Sequence, residues 1–184
     1  MKEIALHLLD IVQNSVTAGA GHVNITFDLG ADGMLSMTVE DDGRGMSKEF
    51  VQSVQSPFVT TRSTRKVGLG IPLLMQNAML SGGDVHIDSE QGKGTTITAR
   101  FGTRSIDCLP LGDLASTMAS IVMGSPDKPE FSLTCRSPKG ETSFSTEEIR
   151  PVLEGVSLAE PGVVQWIKES LEEEITPILG GIIQ

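Results

Sequence analysis

Asp41-Asp42-Gly43-Arg44-Gly45-Met46 is the stretch on which the fold turns. It closes a run from Met34 to Asp41 in which Leu35, Met37 and Val39 alternate with more polar residues, the period of a half-buried strand. A carboxylate at the end of such a strand can accept the exocyclic N–H of an adenine. Gly43 and Gly45 then let the backbone come close to a flat base. Asp-Gly pairs favour turns anyway, so the hexapeptide taken alone also reads as a plain glycine-rich turn.

Upstream, His22 to Leu29 alternates in the same way through Val23, Ile25 and Phe27, and Gly30-Ala31-Asp32-Gly33 turns it back into a hairpin. Before that hairpin, Ile4, Leu8, Ile11 and Val12 recur at helical spacing between Lys2 and Thr17, and Ala18-Gly19-Ala20-Gly21 ends the helix. Asp10 and Asn14 lie four residues apart and so share one helix face. The Asn14 amide oxygen is a neutral ligand that can complete a magnesium shell shared with phosphate oxygens. Asp10 can accept a hydrogen bond from an attacking water or hydroxyl. The same pair also suits the wet side of an amphipathic helix.

Downstream, Ser47-Lys48-Glu49-Phe50 reads as a helix start, and Pro57 to Lys66 lacks periodicity and reads as a loop. Val67-Gly68-Leu69-Gly70-Ile71 opens a helix that runs to Leu80 and stops at Gly82-Gly83. Backbone N–H groups at such an opening bind phosphate, although a single Gly-x-Gly also fits a helix start packed closely on a neighbour. Val85 to Ser89 and Thr95 to Phe101 form a second hairpin around Gln91-Gly92-Lys93-Gly94. Thr95 can serve the base with its hydroxyl or simply belong to the turn. The order helix, hairpin, loop, helix, hairpin predicts an α/β fold, a two-layer sandwich whose mixed sheet is covered by helices on one face.

Composition shifts after Phe101. Asp107 to Gly112 reads as a linker, Asp113 caps a helix to about Met123, and a hairpin surrounds Ser137-Pro138-Lys139-Gly140. Ser145 with Glu148 is a capping-box pattern, and Pro161 stands near the start of a last helix to about Glu174. The sequence therefore divides into residues 1–103 and a small α+β accessory module, residues 113–184, in which no catalytic constellation is visible.

Two distant cysteines, Cys108 and Cys135, argue against a disulfide framework or a zinc site. No apolar run reaches the roughly 20 residues of a membrane span, and the N-terminal stretch is too interrupted for a signal peptide. The expectation is a cytoplasmic protein without a membrane partner. A formal charge of −10 makes nucleic acid an unsuitable partner. Yet Arg44, Lys48, Arg62, Arg65, Lys66, Lys93, Arg100 and Arg104 cluster in the middle of the chain, which suits a small anion or, more blandly, a solvated surface.

The motifs gain force together. Asp10-Ile11-Val12-Gln13-Asn14-Ser15 resembles the N-box of the superfamily that unites gyrase, the heat-shock chaperone, histidine kinases and MutL. Asp41 to Met46 is similar to its first glycine box, Gly68-Leu69-Gly70-Ile71 to its second, and Gly92-Lys93-Gly94-Thr95 to its closing threonine motif. Pro57-Phe58-Val59-Thr60-Thr61-Arg62 resembles the start of the ATP lid of histidine kinases, whose catalytic ATP-binding domains are the nearest match. The resemblance covers about residues 1–102 and implies a Bergerat-type ATP-binding fold with ATP and Mg2+ as ligands. It implies that Asn14 holds the metal, that Asp41 reads the adenine amino group, and that Gly43, Gly45, Met46 and Thr95 surround the base. Gly68, Leu69 and Gly70 would cradle phosphates, with Thr61 and Arg62 of the lid reaching the terminal one.

Departures from the pattern shape the expected activity. Efficient hydrolysing members carry glutamate where Asp10 stands; the shorter side chain argues for slow hydrolysis, with Asp10 the candidate catalytic base. Thr17 replaces the usual lysine or aspartate, and Lys66 stands where a lid glycine is common. His7, His22 and His86 lack the context of a phosphoacceptor, so a phosphoryl group would pass to another molecule in trans. The expectation is an ATP-binding signalling protein that phosphorylates a separate protein partner or hydrolyses ATP slowly. The alternative is a nucleotide-gated binding module resembling anti-sigma regulators, with little catalysis.

Overall fold

The computed structural model describes residues 2–55 and 70–182. The elements in chain order are α1 (Ile4–Thr17), β1 (His22–Leu29), β2 (Met34–Asp41), α2 (Lys48–Gln55), α3 (Gly70–Leu80), β3 (Val85–Glu90), β4 (Gly94–Gly102), α4 (Leu114–Gly124), β5 (Glu130–Ser137), β6 (Gly140–Ser145), α5 (Thr146–Ile149) and α6 (Pro161–Leu179), with a single 3-10 turn at Pro151–Leu153. Among the described residues six strands form one mixed sheet in the order β3-β4-β2-β1-β5-β6. All neighbours are antiparallel except β1 and β5, which run parallel.

Strand periodicity sets the two layers. Val23, Ile25 and Phe27 on β1, Leu35, Met37 and Val39 on β2, Ile97, Ala99 and Phe101 on β4, and Phe131, Leu133 and Cys135 on β5 are all buried against the helices. The alternate positions, among them Thr26, Thr38, Thr98 and Thr134, are only partly covered and form a polar second face. This is the α/β sandwich expected from the sequence. On the helix side, α1 packs against β2, α3 and α4, and α6 packs against α4, β5 and β6.

The sequence puts a boundary between residues 103 and 113; across it the structure runs one sheet and one core. β5 pairs with β1 from His22↔Glu130 to Asp28↔Arg136. The linker carbonyls of Pro110 and Leu111 accept the N–H groups of Ile4 and Ala5 at 2.9 Å, meeting donors that the first turn of α1 cannot satisfy internally. Two local expectations are corrected. Ser145, the last residue of β6, precedes α5 but makes no side-chain cap. The last helix runs past Glu174 to Leu179 and through Pro177. Ile175, Ile178 and Leu179 are buried, and that apolar face outweighs the one backbone hydrogen bond proline forfeits. Asp113 does cap α4, accepting the Ser116 N–H at 2.8 Å.

Candidate nucleotide-binding site

Two inward-facing rows of side chains end at the same edge of the sheet. The β2 row Leu35, Met37, Val39 finishes in Asp41, and the β4 row Phe101, Ala99, Ile97 finishes in Thr95. Register pairs Asp41 directly with Thr95. There the helical layer stands back and leaves a cavity of about 200 Å³ lined by Ile11, Asn14, Ser15, Thr17, Ala18, Val39, Asp41, Arg44, Gly45, Met46, Phe50, Ile71, Thr95 and Ile97. Its walls mix apolar side chains (Ile11, Val39, Met46, Phe50, Ile71, Ile97) with polar ones (Asn14, Ser15, Thr17, Asp41, Arg44, Thr95), a make-up that suits a ligand with a flat apolar part and polar edges.

Asp41 is fixed from two sides. Ser15 Oγ donates to Oδ2 at 2.6 Å, and the Gly43 N–H donates to Oδ1 at 2.9 Å. A carboxylate offers about four lone-pair directions, so acceptor capacity remains for a ligand amine. Thr95 is 2.8 Å from Ser89 Oγ, and the Ser89 hydroxyl also accepts the Met46 N–H at 2.8 Å and donates to the Gly94 carbonyl at 3.0 Å. Ser89 therefore ties the Asp41–Met46 loop to the second hairpin. Gly45, at φ +66°, lies so close to the Glu90 carbonyl that a side chain there would collide with it. The close approach at Gly45 is thus to the second hairpin, while Gly43, buried, supplies its N–H to Asp41.

Asp42 points the other way and clamps the start of β1. It accepts the Gly21 N–H at 2.7 Å, the His22 N–H at 2.9 Å and faces His22 Nδ1 at 3.1 Å. The His22 backbone bond, helped by its ring and by Gly21, holds the Asp42 carboxyl below the usual range against the opposing effect of burial.

Gly43, expected beside the base, stands off the cavity wall and donates its N–H to Asp41; the other expected residues fall into three groups. Asn14, Asp41, Gly45, Met46 and Thr95 meet on the cavity wall. Asp10 and Gly70 sit together but outside that wall: a Cβ on Gly70 would lie 3.1 Å from Asp10 Oδ2, so the carboxylate packs against the first residue of α3. Thr61, Arg62, Gly68 and Leu69 lie outside the described residues, as do Arg65 and Lys66. Sequence reasoning gave no role to Ser15, Ser89 or Asp42. For Ser15 a signal existed: a polar residue in the inward stripe of α1, where burial is 2 % exposed.

A wider cleft of about 310 Å³ at the far end of the sheet, lined by Leu29, Gly33, Arg104, Lys139 and Ile182 among others, contains none of the expected residues. Among the described residues no group of three or more His, Cys, Asp or Glu could hold a metal by itself. Solvent-exposed Asn14 on the rim fits a magnesium ion that takes most of its ligands from phosphates and water. No described helix is long and apolar enough to cross a membrane.

Fold and cavity together define a nucleotide-binding domain of the Bergerat type. Residues 2–105 match the model of the histidine kinase-, DNA gyrase B- and HSP90-like ATPases, and the chain belongs to that family. Among proteins similar to it are sporulation kinase D of Bacillus subtilis (32% identical over 92 residues, 50% of this chain and 18% of that one) and histidine protein kinase DivJ of Caulobacter vibrioides (35% over 107 residues, 55% and 17%). The chain thus spans about a fifth of the length of these relatives. The N-terminal domain of a DNA repair protein shares the fold with a TM-score of 0.54 at 16% identity, over 79% of this chain and 53% of that one. That likeness covers more of the chain than residues 2–105. The chain therefore carries an ATP-binding, kinase-like catalytic domain, with histidine kinases among its relatives.

Proposed function

We propose that this protein binds Mg-ATP in the cavity beside Asp41 and passes the terminal phosphoryl group to a residue on a separate protein, or slowly to water. The observation that carries this reading is Asp41 itself. It is the polar end of an otherwise apolar inward row, oriented by Ser15 and Gly43, at the bottom of a cavity rimmed by Asn14. The base slots between Ile11, Val39, Met46, Ile71 and Ile97, and its exocyclic amine donates to Asp41. Asn14 presents its amide oxygen to the metal, which when bound neutralises phosphate charge during transfer. The phosphates extend toward Gly70 at the start of α3. Asp10, packed against Gly70, is the side chain within reach to take the proton of an attacking hydroxyl or water.

A second reading, a nucleotide-gated binding module, draws support from the pairing of β5 with β1. That pairing connects the C-terminal segment directly to the strand next to the one that carries Asp41. Titration calorimetry and a turnover assay separate the two. Mg-ATP binds the wild type, and Asn14→Ala weakens it roughly tenfold in magnesium yet not in excess chelator. Turnover that is measurable in the wild type and lost in Asp10→Asn, with Mg-ATP affinity kept, supports the kinase or ATPase reading. Binding without any turnover or transfer supports the gate, and absence of Mg-ATP binding removes both.

A further inference from the structure

α1 carries two fully buried polar side chains, His7 at 0 % exposure and Ser15 at 2 %. Each costs free energy in an apolar layer unless it is bonded. Ser15 spends its bond on Asp41, at the base end of the cavity. His7 reaches the opposite way, to α3: its Nε2 lies 2.8 Å from the Asn77 side-chain amide nitrogen. With the amide donating, the ring proton resides on Nδ1, which is buried and finds no partner. Burial pushes the imidazole pKa down, against the raising effect of the nearby Asp10, so the ring is kept neutral and able to accept.

The geometry of α1 and α3 gives this bond a consequence. Three residues beyond His7 on α1, Asp10 packs against Gly70. Gly70 and Asn77 are seven residues apart on α3, two turns along one face. The helices therefore run antiparallel, with His7 holding Asn77 at one end of the seam and Asp10 meeting the helix start at the other. An apolar seam alone tolerates sliding of one helix along the other; a directional hydrogen bond between buried groups does not.

We propose that His7 is a positioning residue for the phosphate end of the pocket: through Asn77 it fixes the register of α3 on α1, and so where the first residue of α3 stands relative to Asp10 and Asn14. This rests on the reading of the pocket as a Mg-ATP site. On the intact chain, Mg-ATP is titrated by calorimetry and adenosine by NMR. His7→Leu weakens Mg-ATP roughly five- to tenfold, the scale of one hydrogen bond's net contribution, and leaves adenosine within about twofold. His7→Gln, whose amide oxygen can accept from Asn77, restores Mg-ATP to within about twofold of wild type. Asn77→Leu reproduces the selective loss, and decides the matter if His7→Leu does not fold. Equal losses for both ligands, or none for Mg-ATP, overturn the assignment. Wild type that binds Mg-ATP with indifferent variants sinks His7 alone, whereas wild type that binds no Mg-ATP sinks the pocket reading as well.

Discussion

The two halves of the sheet treat their polar clusters in opposite ways. Around the cavity, Asp41 holds two internal donors and retains acceptor capacity, and Thr95 and Asn14 face the same space. At the far edge, the Thr146 hydroxyl, fully buried, donates to Glu130 Oε2 at 2.6 Å and accepts the Phe131 N–H at 2.9 Å, while Arg150 donates to Glu130 Oε1 at 2.7 Å. Burial works to raise the Glu130 carboxyl, but the bonds from Thr146 and Arg150 outweigh it and hold it below the usual range. One cluster is closed on itself and the other is left open. A closed cluster contributes stability and can bind nothing; an open one gives up stability to keep a partner's place.

The sharpest way to break this contrast is Asp41→Asn. The folded chain survives, and Mg-ATP affinity falls roughly ten- to a hundredfold, since a hydrogen bond to a charged group contributes about 1.5–3 kcal/mol. Unchanged affinity by calorimetry would mean that the open cluster is not the adenine reader. Thr146→Val tests the closed one. It strands the Phe131 N–H and loosens Glu130, costing about 1–3 kcal/mol, or roughly 2–10 °C in Tm, with Mg-ATP affinity intact. A loss of affinity without a loss of Tm would reverse the roles assigned to the two clusters.

The smallest expected effect concerns acid. The pKa of His7 is lowered in the folded chain relative to its ordinary 6.5. The native state thus prefers the neutral ring, and this contribution is complete above pH 6.5 and declines as pH falls below it. Asp42 and Glu130 are shifted down from ordinary values of 3.8 and 4.5, so they begin to weaken the fold only at lower pH. Thermal melts at pH 7 and pH 5 should therefore show wild type losing more Tm than His7→Leu, by roughly 2 °C. Parallel losses would show that the buried ring takes no part in the acid response.

How much of this was legible in the sequence depended on range. The strands β1 and β2 fall where alternation places them, because one face is buried and the other polar along their whole length. Asp41, Met46, Thr95 and Asn14 were found because each sits in a short motif that resembles one box of the ATPase superfamily, and the fold brings those motifs to one cavity. The parallel pairing of β5 with β1 left no local mark: more than a hundred residues separate the partners, and nothing in Glu130–Ser137 names its neighbour. Ser15 and His7 were overlooked as site-forming residues for a related reason. Each reads as an ordinary member of a helical stripe until its distant acceptor or donor, Asp41 or Asn77, is seen beside it. The end of the last helix was missed for a similar reason: the sequence reading stops near Glu174, while burial of Ile175, Ile178 and Leu179 carries the helix on through Pro177.

The carbonyls of Pro110 and Leu111 have one more implication, for anyone who would trim the chain to its ATP-binding part. A version cut after residue 105 keeps every cavity-lining residue, yet leaves the leading amides of α1 bare and turns β1 from an interior strand into a raw edge. The cavity beside Asp41 is thus propped from behind by a part of the polypeptide that does not line it.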